Sequence, residues 1–192
     1  MNRLQAGRLV VASLVLLVWG SWTPNANTLP GKRKLLADKS ASVVTYAMHH
    51  PMHSWEGVSR DVNSAIVYND DTQTIENAAV SVKVGSFDSG NANRDSNAME
   101  TLEALKYPNV TFVSQTIQTG ANGALTLTGN LTFHNVTKPI TVQATRKDGN
   151  GRMTVDGSFE LRLSDYAIKR PTLMTIPVDE DVQMKFTIVF RM

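Results

Sequence analysis

The chain has 192 residues, 42% hydrophobic and 19% charged, the make-up of a folded domain rather than a disordered or fibrous one. Its formal net charge of +2 is accounted for by Arg3 and Arg8, so the remainder is balanced and offers no basic stripe to nucleic acid. It contains no cysteine, which excludes thiol nucleophiles, Cys-based zinc sites, iron–sulfur ligation and a bacterial lipoprotein anchor.

Arg3 and Arg8 precede the apolar run Leu9–Trp19, followed by Gly20, Ser21 and a polar, Pro-containing stretch. This is the order of a secretory signal, and the run is short for a membrane-spanning helix, which needs about 20 apolar residues; an uncleaved membrane anchor is the alternative. The expected division is a signal peptide over 1–26, a flexible linker over 27–40 and one domain over 41–192, with the mature protein periplasmic or secreted. Lys32-Arg33-Lys34 reads as a solvated stretch of that linker.

His49-His50-Pro51-Met52-His53 comes next. His49 and His53 could share one side of a strand with Glu56 nearby, residue types that suit zinc, copper or nickel. Pro51 disturbs regular geometry, however, and no His-Glu-x-x-His helix is present. The reading adopted is a polar barrel rim, with no metal and no cofactor. Recognition of a ligand headgroup and a metal-assisted enzyme using His49, His50 and His53 are the alternatives.

Beyond residue 40 the dominant period is two. Val80, Val82 and Val84 alternate with polar residues, as do Leu125, Leu127, Leu131 and Phe133, then Ile140, Val142 and Ala144. Met153, Val155, Phe159, Leu161 and Leu163 continue the pattern, and Val182, Met184, Phe186, Ile188 and Phe190 close it. Strict alternation places one face on a core and one in water, as in an antiparallel sheet. Turn signals at Asn69-Asp70-Asp71, Gly120–Gly123, His134-Asn135 and Asp148–Gly151 separate the runs. About eight strands in succession would leave two open edges unless the sheet curls onto itself. The expected fold is all-β, a closed or nearly closed eight-stranded antiparallel barrel, with a sheet sandwich as the alternative. One segment departs: Asp95–Leu105 carries Met99, Leu102 and Leu105 at helical spacing, with Asn93 or Asp95 as caps and Tyr107-Pro108 as a stop. This predicts a short amphipathic helix that plugs or lids one mouth, with a helix simply packed on the outside as the alternative. Arg94-Asp95 within it reads as an ion pair or cap that fixes the segment, and His134 as an exposed, inert turn residue.

Three ordered blocks carry a family resemblance. Ser89–Ser96 with Leu105–Pro108 and Val110–Phe112, then Gly129–Phe133 with Val136–Val142, then Gly157–Phe159 with Leu163–Tyr166, together resemble the YceI-like family over roughly 40–192. The resemblance implies a lipocalin-like barrel, usually exported, some members of which bind polyisoprenoid chains. Asn97 stands where the family often has His, so no role of that His carries over. Asn135 stands where a turn Gly is common, and Asn is the next-best residue for a left-handed backbone.

The functional expectation is an exported binding protein, not an enzyme, that holds a long apolar ligand, a polyisoprenoid or other lipid. Its partners are the lipid and, transiently, a membrane, with no nucleic acid; oligomeric state is left open, a dimer included. The expected lining is Met99 and Leu102 from the helix, with Phe112, Leu127, Phe133, Val142, Phe159, Leu161, Phe186 and Ile188 from the strands. A structural or stress-related barrel filled by its own side chains is the third reading.

Overall fold

Alternating apolar and polar residues over ten segments produce one curled antiparallel sheet. The computed structural model describes residues 31–192; the signal peptide expected at 1–26 and the start of the linker lie outside them. The elements are β1 (Lys32–Leu36), β2 (Val43–His50), β3 (His53–Ser59), β4 (Val62–Asn69), β5 (Thr74–Lys83), α1 (Ala92–Thr101), β6 (Asn109–Thr119), β7 (Ala124–Phe133), β8 (Val136–Gly149), β9 (Arg152–Arg162), β10 (Thr172–Leu173), β11 (Ile176–Pro177) and β12 (Asp181–Arg191). Order in the large sheet is β1-β4-β5-β6-β7-β8-β9-β12-β2-β3, with β10 and β11 forming a separate two-stranded hairpin. The expected all-β barrel fold is what is found, with ten strands rather than eight. One added strand arises because Arg60-Asp61 interrupts a single long run and divides it into β3 and β4. β2 pairs with β12 on one side and β3 on the other, and β4 continues the circuit to β5. Two isolated bridges draw the ends together, Ala37 with Phe190 at the base and Val58 with Asp88 near the mouth.

The other added strand is β1, which overturns the reading of 27–40 as a flexible linker. Lys32 and Arg33 pair in register with Asn69 and Tyr68. Lys32 Nζ lies 2.7 Å from Glu76 Oε2 and Arg33 Nε 3.0 Å from Asp70 Oδ1. The basic run is therefore an edge strand fixed by partners that lie 33 or more residues away, a distance at which sequence periodicity is blind.

β7 shows how pattern becomes packing. Leu125, Leu127, Gly129, Leu131 and Phe133 are buried, while the residues that alternate with them are more exposed. The base of the barrel is solid: Leu35, Tyr68, Met153 and Phe190 are each buried there, Met153 completely. Val189, expected to face water, is also buried. The Asp38–Ser42 turn crosses it, with the Ser42 hydroxyl accepting from its N–H at 3.1 Å and Asp38 N–H donating to its carbonyl at 2.7 Å.

That turn is held by charge. Asp38 accepts hydrogen bonds from the Ser40 hydroxyl at 2.6 Å and from Arg191 at 2.8 Å. These bonds, Ser40 first, lower its pKa to about 2 from an ordinary 3.8. Because the folded pKa is depressed, the contact stabilises fully above about pH 4 and is lost as pH falls through about 2. Denaturant unfolding measured from pH 5 to pH 2 should therefore fall more steeply for the native protein than for Asp38→Asn. Parallel curves would show that the turn does not depend on the carboxylate.

Candidate ligand cavity

Above the solid base the barrel is hollow. A cavity of about 490 Å³ runs from the mouth to a floor at Ile66, Ile75, Leu125 and Val155. Along β7 its wall extends from Phe133 to Leu125, about 27 Å at ~3.4 Å per residue. All ten residues expected to line it are on its wall. Leu127, Phe133, Val142, Leu161 and Ile188 are buried, Leu102, Phe112, Phe159 and Phe186 half-buried, and Met99 exposed.

The hollow stays open because aromatic rings lie back against the wall over glycines. A side chain added at Gly157 would collide with the Phe186 ring, one at Gly57 with the Tyr46 ring, and one at Gly129 with Phe112 Cζ and the Val113 carbonyl. Phe186 and Gly157 are directly paired across β12 and β9, and Tyr46 and Gly57 across β2 and β3. Such rings cover the bare backbone of a strand glycine instead of projecting to the barrel axis. Sequence reasoning missed this device, since it needs the cross-strand register. Burial raises the pKa of the Tyr46 phenol, which keeps it neutral in the wall.

The mouth is more polar and is partly covered by α1. Helix residues Asn93, Arg94, Asn97, Ala98 and Met99 face the cavity, and so does Leu102, expected on the helix but standing just past its end. The helix starts earlier than expected, at Ala92, and Asn91 rather than Asn93 or Asp95 caps it, its side-chain oxygen accepting from the N–H groups of Asn93 and Arg94 at 3.1 Å each. It also ends earlier, at Thr101, so Leu105 falls in the following turn and is almost fully exposed. Arg94 and Asp95 act through Ser89. Arg94 Nε donates to the Ser89 hydroxyl at 2.9 Å and Nη2 to its carbonyl at 2.9 Å, while that hydroxyl donates to Asp95 Oδ1 at 2.5 Å. The Arg94 guanidinium also sits 5.4 Å from the Trp55 ring centroid, joining helix to β3.

His134 is not the exposed turn residue expected. Its Nδ1 lies 3.1 Å from the Tyr166 carbonyl, its Nε2 2.9 Å from Glu103 Oε2, and the Tyr107 ring packs edge-on at 4.7 Å. The imidazole thus ties the turn after α1 to the β7–β8 hairpin. In that hairpin His134 and Asn135 take φ of 48° and 61°, the left-handed geometry for which Asn substitutes for Gly.

The other histidines do not converge. Pro51-Met52 makes a hairpin turn, so His50 pairs with His53 and His49 with Ser54. His50 and His53 border the cavity, whereas His49 turns outward and contacts Asp179 at 2.9 Å. His49 and His53 therefore do not share a face. Among the described residues no group of three or more His, Asp or Glu is arranged to hold a metal ion.

A curled antiparallel barrel with a solid base, an apolar interior slot and a helix across its mouth defines a lipocalin-like class of protein. The YceI-like domain model matches residues 36–190, and the chain belongs to the YceI-like family. A UPF0312 protein of Pseudomonas putida F1 is 28% identical over 151 residues, covering 74% of this chain and 79% of that protein. Among solved structures, Burkholderia cenocepacia BcnA superposes with a TM-score of 0.71 at 23% identity, covering 80% of this chain and 98% of its own. A polyisoprenoid-binding domain from Saccharophagus degradans, implicated in plant cell wall breakdown, superposes with a TM-score of 0.68 at 14% identity, covering 82% and 97%.

Proposed function

We propose that the protein is an exported, non-enzymatic carrier that holds one long apolar lipid chain, a polyisoprenoid or similar molecule, in the barrel slot. The cavity itself carries this reading. An apolar hollow of about 490 Å³, kept dry and empty, would cost on the order of 10 kcal/mol at ~24 cal/mol per Å³. That rivals the whole stability of an ordinary domain, about 5–15 kcal/mol. Water relieves the cost poorly, because a buried water needs about three polar partners and the deep wall is nearly all Leu, Ile, Val and Phe. An apolar chain relieves it at ~0.8 kcal/mol per methylene buried. A membrane offers the same lipid a similar gain, so selection falls to slot shape and to the polar mouth, where Arg94, His53, Trp55 and Asn97 stand. The domain named in the Saccharophagus degradans structure supports the polyisoprenoid class of cargo. Outward-facing His49 weakens the metal-assisted alternative, and the hollow weakens the self-filled barrel.

Native mass spectrometry of protein released by its own host, followed by organic extraction, tests cargo and export together. The expected result is a mature chain starting between residues 21 and 27 with one long-chain lipid retained. A gently purified protein that yields no lipid would sink the carrier reading; an intact Met1 found in the membrane pellet would replace the cleaved signal with an uncleaved membrane anchor.

A further inference from the structure

Two hairpin tips flank the mouth. The Pro51-Met52 turn joins β2 to β3, and Met174-Thr175 joins β10 to β11. They are tied side by side through His50, which is fully buried. Its Nδ1 accepts from the Met52 N–H at 3.2 Å, so the proton lies on Nε2, which donates to the Ile176 carbonyl at 3.3 Å. Behind the tie, His50, His53, Pro171, Thr172 and Val178 border the cavity. In front of it, Met52 is 60% exposed, Met174 75% and Ile176 41%.

The segment between Tyr166 and Val178 carries Lys169 and Arg170 and no acidic residue. Arg170 is engaged by Glu180 at 3.1 Å, while Lys169 makes no ion pair among the described residues. The tip itself is unusual. Met174 and Thr175 take φ of 49° and 71°, a two-residue turn that Asn-Gly would fill without strain. A β-branched Thr in that region is a real outlier. The turn therefore holds a large apolar side chain outward at a conformational cost.

We propose that this rim is the surface by which the protein settles on an anionic lipid bilayer, with Met52, Met174 and Ile176 entering the interface and Lys169 facing the headgroups. The inference rests on the carrier reading, since it places the mouth of the slot where cargo leaves or joins the membrane. A fluid bilayer suits the rim better than a second copy of the chain does. Flexible methionines adapt to a disordered partner, and apolar tips beside a cation are the pattern of interfacial binding. A mouth-to-mouth dimer would set the Lys169 regions of both copies against each other.

The test is sedimentation of the mature protein with phosphatidylcholine vesicles, with and without phosphatidylglycerol. Wild type should pellet with the anionic vesicles, and added salt should release part of it. Met52→Asp/Met174→Asp should weaken binding at least about tenfold, because two apolar contacts become charges facing anionic headgroups. Lys169→Gln should weaken binding to the anionic vesicles alone. Leu36→Asp, at an apolar side chain exposed on the edge strand β1, should leave it unchanged, and circular dichroism should show all variants folded. Wild type that retains extractable lipid yet binds neither vesicle overturns the docking surface and leaves the carrier reading standing. No extractable lipid, with rim-dependent vesicle binding intact, does the reverse. Light scattering that shows a dimer broken by the Met52→Asp/Met174→Asp change would assign the rim to self-association and overturn the membrane proposal.

Discussion

Phe190→Ala is expected to destabilise the lipid-free protein by about 3–5 kcal/mol, and Leu127→Ala by about 2 kcal/mol, although both side chains are more than nine-tenths buried. The difference comes from what lies beyond each. Phe190 packs into the solid base and does not border the slot, so its removal opens a new void. Leu127 already faces the hollow, so its truncation enlarges an existing space and leaves fewer atoms without neighbours. In melting temperature, Phe190→Ala corresponds to a drop of roughly 10 °C for a domain of this size. Chemical denaturation of both variants checks the contrast. Equal losses would mean that the interior is packed to the same density from base to mouth.

The second large effect is on cargo. Gly157→Ala should cut retained lipid several-fold, because the new methyl group drives the Phe186 ring off the wall and into the slot. The Gln143 carbonyl at 2.9 Å from the same methyl position adds some overpacking, about 1–3 kcal/mol. Phe186→Leu alone should widen the slot at a cost below about 1.5 kcal/mol and shift the retained lipid toward bulkier chains. Combined, the two changes should restore occupancy, since the shorter side chain leaves room for the methyl group. Extraction and mass spectrometry of the three variants reads this directly. A double variant as empty as Gly157→Ala would show that the ring is not what narrows the slot.

The inner wall was legible in the sequence because strand alternation is local. The parity of Leu125 to Phe133, and of Val182 to Phe190, decides which side chains turn inward whatever the partner strands are. Contacts between distant strands were not legible in the same way. The Lys32-Arg33-Lys34 run looks like tether until Glu76 and Asp70 are brought beside it, and His134 looks idle until Glu103 and the Tyr166 carbonyl close around it. The histidine run misled through its turn. Pro51-Met52 reverses the chain, so spacing along the sequence says nothing about which rings meet. The hollow itself could not be distinguished from a filled barrel, because the glycines beneath Tyr46 and Phe186 belong to neighbouring strands and that beneath Phe112 to a partner strand a turn away.

The ring of strands has one slender joint near its mouth. Among the described residues, the outer edge of β3 is bridged at Val58 to Asp88 through two backbone hydrogen bonds of 2.8 and 3.0 Å, and at Ser59, whose hydroxyl lies 2.7 Å from that of Ser86. Along the ladders from β1 round to β3, neighbouring strands are laced by five to eleven residue pairs, and at the base Ala37 bridges Phe190. Parting the wall at the joint breaks these three hydrogen bonds, about 1.5–4.5 kcal/mol at 0.5–1.5 kcal/mol per bond, together with the Arg94–Trp55 contact, and that is less than unzipping a full ladder would take. Trp55 and Phe87, which flank the joint, also border the slot. Topologically the barrel is then closer to a sleeve with a fastening than to a tube. On the carrier reading, cargo would then enter beside Trp55 and Phe87 where the fastening parts, and not only through the mouth under α1.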